Sequence, residues 1–440
     1  MATARKIQIT TDNTGAWGLK QSEAAAKKTS ELLQEDLEKH HCFFNNSGYH
    51  NHISHHLLSL YGIGAAPEDI QKGYNDNASY QRSPYEVHDD QVEELRDFEK
   101  AKTKLGKEEH YTDFLVFFQK EIDKLGWQKV LSEYLFMGDE RSEDMLIRMF
   151  AGFLHPIIQL MYGIEWDQPA IVAMGLAQAA VHQDNMRKFL ITAEDAAKSS
   201  AASQMPPIAS LLDEVATDEK LATAARFSDS NKVTDGVFVR AFDEMIRVAA
   251  KVKVNPEDLE EKTAEMYNTA IYEAAGAALH PGKEPRFDFF LMHHVNVCPL
   301  FIAINVQDWI PTASKVRLLE WKIRFDLLQY AARACPPLSL EKITSYAPKD
   351  KPSKATKDLI PRVFALHDDG HVAKLIRAIG LGEKVSAKYE DKDWIKIKGE
   401  GLWNKLNHLV IDSVESSEPR WVRCAGDAEA WNDVPDQKEA

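Results

Sequence analysis

Leu366-His-Asp-Asp-Gly-His-Val-Ala-Lys-Leu-Ile-Arg-Ala-Ile-Gly380 is the stretch on which the fold reading turns. Its second half predicts a helix, because Val372, Leu375, Ile376 and Ile379 recur at helical spacing and would face a core. His371 and Lys374 sit one turn apart on one flank of that helix. An imidazole and an amine at the edge of an apolar stripe fill space less well than Leu and are costly to bury as cations. The pair is read as the anchor of a metal site that needs partners from elsewhere in the chain.

Outward from this anchor the pattern is helix after helix. Ser22 to His41 places Leu32, Leu33 and Leu37 on one side. His52 to Tyr61 is stopped by Gly62 and Gly64, and residues 66–90 read as loop. Asp113 to Leu125, Trp127 to Phe136, Glu143 to Tyr162 and Pro169 to Leu190 follow as helical stretches. Thr234 to Val254, Pro256 to Leu279, Phe287 to Val297, Val316 to Ala334 and Leu402 to Val414 continue the series. A short strand is expected over Lys6–Thr11, a charged surface loop over 346–358, and a loosely held tail after Val414. Residues 193–232, rich in Ala, Ser, Asp and Thr with Pro206 and Pro207, are expected as an exposed insertion or mobile lid. No repeat and no long alternating pattern is visible, so the expectation is a mainly α chain, one large multi-helix domain over 1–440 with a histidine-lined internal site.

Composition narrows the function. A formal net charge of −15 argues against nucleic acid and anionic membrane surfaces as partners. Four scattered cysteines (Cys42, Cys298, Cys335, Cys424) make neither a disulfide framework nor a thiolate zinc site. The N-terminus lacks the apolar core of a signal peptide, and no run of about 18 or more apolar residues reads as a membrane span. A reduced, cytoplasmic setting is expected.

The sixteen histidines cluster. His50, His52, His55 and His56 crowd a helix start; His55 and His56 point roughly 100° apart, so only one can reach a given ion. The bland alternative is a polar helix face with capping. His155 sits among apolar residues, with Ala151 and Gly152 one turn before it, Gln159 one turn after, and Pro156 implying a local distortion. A satisfied core histidine is its bland alternative. Of the adjacent His293 and His294 only one can face a common centre; the bland alternative is a pair split between core and surface, one imidazole satisfied on each side. Other signatures fail. Gly62-x-Gly64-x-x-Pro67 lacks the last Gly and a preceding strand, and Glu38-x-x-His41 is alone where a di-iron bundle needs two such motifs. His182-x-Asp184 and His367-x-Asp369 lie in helical sequence, where a facial triad is unusual.

With these segments in order, the chain resembles the fungal questin oxidase-like family. The matching stretches are Asn51-His-Ile-Ser-His-His-Leu-Leu-Ser-Leu-Tyr-Gly-Ile-Gly-Ala65, Ala151-Gly-Phe-Leu-His-Pro-Ile-Ile-Gln-Leu-Met-Tyr-Gly-Ile-Glu165, Met292-His293 and His371-Val-Ala-Lys-Leu-Ile-Arg-Ala378. Family members often read His-Pro-Leu-Ile-His, where this chain ends in Gln159. The resemblance implies an all-helical oxidoreductase of secondary metabolism. Its members carry out Baeyer–Villiger-type oxidation and ring opening of aromatic polyketides such as anthraquinones, often with NADPH as cosubstrate.

No flavin or NADPH site is visible, and dioxygen reacts poorly with closed-shell organics without a metal, a flavin or a carbanion. Histidine-rich, thiolate-free ligation suits iron. The expected centre is therefore one Fe(2+) held by His55, His155, His293 and His371, with His52 or His56 as alternatives to His55 and His294 to His293. Lys374, made neutral by burial, would take up carbon dioxide and join as a carbamate, against the bland alternative of a snorkelling surface lysine. His371 and Lys374 are the expected catalytic pair, an aromatic polyketide and O2 the partners, and Tyr61, Phe153, Tyr162 and Trp403 candidate pocket walls. Two rival readings stand beside this one: an NADPH-dependent Baeyer–Villiger oxidase without bound metal, and a metal-dependent hydrolase.

Overall fold

The computed structural model describes residues 1–200, 204–349 and 356–437. Helices account for 63% of the chain, and among the described residues there are only isolated bridges and no strand. The expected strand at Lys6–Thr11 is absent for a local reason. Its backbone N–H groups find side chains instead of a sheet partner: Ile7 donates to Gln34 Oε1, Gln8 to Gln168 Oε1 and Ile9 to Ser30 Oγ.

Contacts gather the chain into two compact units, each built from segments far apart in sequence. The first comprises Met1–Arg187, Pro299–Pro311 and Phe364–Arg377; the second comprises Lys188–Cys298, Thr312–Val363 and Ala378–Ala440. Because the chain crosses between units several times, no composition shift marks a boundary.

In the first unit, helix His155–Glu165 packs on Pro169–Ala180, which also packs on Tyr111–Leu125. Glu23–Lys39, Ile53–Gly62 and Pro67–Ala78 pack mutually, and Ile53–Gly62 reaches His155–Glu165. Pro67–Ala78 was expected as loop. Pro67 opens it, Asp69 accepts from the Ala66 N–H, and Ile70, Tyr74 and Asn77 are buried, so tertiary burial overrides the poor propensity of Asn75, Asp76 and Asn77. The expected single helix Glu143 to Tyr162 is broken. Glu140–Arg148 ends, Gly152, Phe153 and Leu154 take φ values of 52°, 54° and 68°, and a new helix starts at His155 with Pro156 in its first turn. Pro156 therefore starts a helix and does not distort one.

In the second unit, the long helix Thr312–Ala332 packs on Leu259–Ala277, Phe289–Asn296, Ile208–Thr217 and Phe242–Ala249. The stretch 193–232 is helical over Ile208–Thr217 and Glu219–Ala222, with Leu211, Leu212 and Val215 buried; residues 201–203 of it lie outside the described residues. Residues 350–355 of the expected Lys-rich loop also lie outside them. The tail is anchored, against expectation. Asp288 Oδ2 accepts from Cys424 and Ala425 N–H groups while its Oδ1 caps Phe289–Asn296, and Trp431 is buried. No single helix among the described residues is long and apolar enough to cross a membrane; Glu140–Arg148 with Gly152–Glu165 qualifies only as a pair, across a 71° bend.

Candidate metal centre

The centre is assembled in the first unit by backbone that fixes imidazole tautomers. His52 is the N-cap residue of Ile53–Gly62, and its Nδ1 lies 3.1 Å from the carbonyl of Asp369. His155, first in its helix, sets Nδ1 2.6 Å from the carbonyl of Gly152. A carbonyl oxygen only accepts, so each Nδ1 carries the proton and each Nε2 is the acceptor nitrogen. These two Nε2 atoms face each other at 2.9 Å. Two lone pairs so placed repel unless a proton or a metal cation lies between them. Metal–nitrogen bonds of ~2.1 Å at right angles put their donor atoms ~3.0 Å apart, so the spacing suits adjacent ligands of one ion. A shared proton would create a buried imidazolium, a costly placement.

His371 stands beside His52. Its Nδ1 lies 2.5 Å from Asp369 Oδ1, to which it donates, and its ring meets His52 edge-on at 4.7 Å. Among the described residues, ligand atoms of His52, Asp369 and His371 all lie within 4.8 Å of one another. A carboxylate that orients a ligating imidazole is the usual outer partner at metal sites. Gly370 makes this approach feasible. Its φ is +95°, and a Cβ there would come within 2.8 Å of His56 Cβ.

Lys374 is 2% exposed and its Nζ has no hydrogen-bond partner. Burial lowers its pKa to about 8, against the pull of Asp369 and Asp368. The snorkelling surface lysine is thereby excluded. His55 is fully buried, neither ring nitrogen has a bonded partner, and the ring stacks on Tyr162 at 5.6 Å. Burial first, then Lys374 and His371, holds it neutral, with Gln159 opposing. His56 faces Asn77 and the glycine surface of Gly73, a packing role.

The remaining expected residues divide. His293 belongs to the second unit, where its Nδ1 lies 2.5 Å from the Phe289 carbonyl. His294 has a separate partner, Asp326, whose carboxylate also pairs with Lys322. Tyr61 and Tyr162 are buried and Phe153 is 40% exposed; Trp403 is buried in the second unit. Of His367-x-Asp369, His367 is exposed on Asp76, while Asp369 orients two of the centre's rings. A further layer went unread in the sequence. His50 stacks on His155 at 3.8 Å and meets His182 Nε2 to Nε2 at 2.8 Å, in space that only Gly152 leaves open, since a Cβ there would reach His182 Nε2 at 2.3 Å. His182 gives its Nδ1 proton to Gln178 O, so His50 donates in this pair.

The family model for questin oxidase-like proteins matches residues 49–379, a span that holds every side chain of this centre. The chain belongs to the questin oxidase-like family. Over 445 residues it is 36% identical to a Baeyer-Villiger oxidase of Pestalotiopsis fici, covering 99% of each chain. It is 35% identical to the questin oxidase of Aspergillus fumigatus, covering 94% of each, and 35% identical to an oxidoreductase of Aspergillus parasiticus, covering 94% of this chain and 90% of that one. As a questin oxidase-like protein it is an enzyme, an oxidoreductase.

Proposed function

We propose that this questin oxidase-like enzyme is a non-haem iron oxygenase that cleaves a C–C bond of an anthraquinone-type aromatic polyketide with O2, opening a ring. The observation that carries the metal is the face-to-face pair of acceptor nitrogens on His52 and His155, with the Nδ1 of His371 held by Asp369. The anthraquinone rests on the name of the Aspergillus fumigatus relative, and oxygen insertion on the name of the Pestalotiopsis fici one.

His52, His155 and His371 would hold the ion, and His52 takes the place first expected of His55. The bound ion would supply activation of dioxygen toward an electron-rich ring. Lys374 supplies the missing anionic donor: its neutral amine adds to CO2, forming an N–C bond and releasing one proton, and the carbamate binds as a carboxylate does. Phe153, exposed two residues before His155, would offer a flat apolar face to the substrate's ring.

The test is metal analysis of the purified enzyme together with oxygen uptake on a hydroxyanthraquinone before and after chelation. Stoichiometric iron and chelator-sensitive uptake are expected. The relatives' Baeyer-Villiger names are equally met by a second reading, an NADPH-dependent oxidase without metal, which requires undiminished, NADPH-dependent turnover after chelation. Those same oxidase names weigh against a hydrolase.

A further inference from the structure

The second unit holds a cleft of about 310 Å³ that the proposed chemistry does not use, within the range of small-ligand sites. It lies between the end of helix Arg187–Ser199, the turn around Val254 and Pro256, and the first turns of helix Thr312–Ala332. Its charge is unusual for this chain. Lys198, Lys253, Arg317 and Arg324 line it against only two carboxylates, Glu194 and Glu320, in a protein of formal net charge −15.

The two carboxylates are already committed. Glu194 receives Arg317 Nε at 2.9 Å, Trp321 Nε1 at 2.7 Å and Lys198 at 2.7 Å. Lys198 also lies 3.5 Å from the exposed Asp195. Glu320 accepts from the Val254 N–H at 2.8 Å and from Arg324 Nη2 at 3.4 Å. Arg324 is 1% exposed. It donates Nε to Ala249 O and Nη2 to Val252 O, and its Nη1 has no hydrogen-bond partner. A buried guanidinium with an unmet donor is expensive, and because that nitrogen is closed to solvent, its charge favours an anion in the cleft through space. The rest of the wall is apolar, from Ala197, Val254, Pro256, Ala313 and Val316. Cations and hydrocarbon in one lining are the two components of a site for an amphipathic anion.

We infer that this cleft binds a small organic anion, its carboxylate or phosphate directed to Lys253 with the buried charge of Arg324 behind it, and its apolar body laid on Val254, Pro256 and Val316. The site is independent of the metal centre. Its occupant is set by charge and size, so an aromatic acid and an aryl phosphate are the two sources to separate.

Isothermal titration of the full-length protein with benzoate, phenyl phosphate, inorganic phosphate and benzyl alcohol tests the site. One or both aryl anions are expected to bind, the stronger of them naming the head group, with inorganic phosphate weaker and the neutral alcohol silent. Lys253→Gln should weaken the aryl anion at least about tenfold, and Ala313→Glu, an exposed position that introduces a negative charge into the wall, should abolish binding. The inference is overturned by any of three results: no anion binds, benzyl alcohol binds as well as benzoate, or both variants bind like the parent. Circular dichroism of each variant identifies loss of fold; should Lys253→Gln unfold, Lys198→Gln on the exposed rim replaces it with the same expectation.

Discussion

His52 Nε2 and His155 Nε2 lie 2.9 Å apart, with the Nδ1 of each ring donating to a carbonyl, that of Asp369 and that of Gly152. Neither ring can turn its proton toward the other without giving up a carbonyl. In the proposed enzyme these two rings would hold the ion. His52→Ala and His155→Ala should each lower iron affinity by roughly 100-fold or more while His56→Ala, which changes a packing residue, lowers it far less. Competition with a chromophoric chelator reads the difference. Equal loss in all three would mean that the histidines act only through folding.

Lys374 makes a separable prediction in the metal-free protein. Its buried amine has no partner, so Lys374→Met should raise apo stability, by about 1–3 kcal/mol, in urea denaturation. The same substitution should cost iron. Stripping bicarbonate before reconstitution should cost the parent its iron too, and mass spectrometry of the native protein should find one added CO2. A parent that reloads fully without bicarbonate leaves Lys374 outside the coordination shell.

Gly370→Ala tests how the loop is delivered. The substitution forces a side chain into a φ of +95° and against His56 Cβ at 2.8 Å. The backbone strain alone costs about 1–2 kcal/mol. Because Asp369 orients both His52 and His371, displacing its carbonyl and carboxylate should also weaken metal by roughly 10- to 100-fold with every ligand still present. Unchanged affinity at reduced stability would separate the loop from the site.

The sequence made the helices legible wherever an apolar stripe has one period, and the stripe after His371 led directly to a buried Lys374. It could not choose between His52 and His55. Helical spacing speaks only for residues inside the helix, and His52 stands outside it as the N-cap, aimed by a carbonyl 317 residues away. Asp369 was hidden for the same reason, since its partner in the His-x-Asp pattern, His367, turns to solvent. Gly152 shows the third limit: a break inside an apolar run reads as continuous helix until positive φ values and the close histidines reveal why the chain must turn there.

Acid should loosen the first unit before its carboxylates titrate. Burial first, with Arg82 for His41 and Arg148 for His182 adding to it, lowers both pKa values from 6.5 to about 4. Between those values the unfolded chain binds protons that the folded chain refuses, so stability is complete above 6.5 and falls as pH drops toward 4. His182→Gln should flatten this dependence in urea midpoints recorded across that window. An unaltered slope would assign the effect to other groups.

In the second unit, Lys322 Nζ lies 2.5 and 2.6 Å from the Asp326 oxygens, both residues are at most 3% exposed, and His294 Nδ1 shares the same carboxylate at 2.5 Å. Removing one partner strands a charge. Asp326→Ala leaves the Lys322 ammonium with only Met266 Sδ, at 3.7 Å, and should cost about 3–5 kcal/mol. Lys322→Met combined with Asp326→Leu removes both charges and keeps the volume, so it should recover most of that loss, less about 1–3 kcal/mol for the unpaired His294 N–H. Urea denaturation of Lys322→Met, Asp326→Leu and the double completes the cycle. If the losses simply add, the two side chains do not interact as an ion pair, and the carboxylate is there for His294 alone.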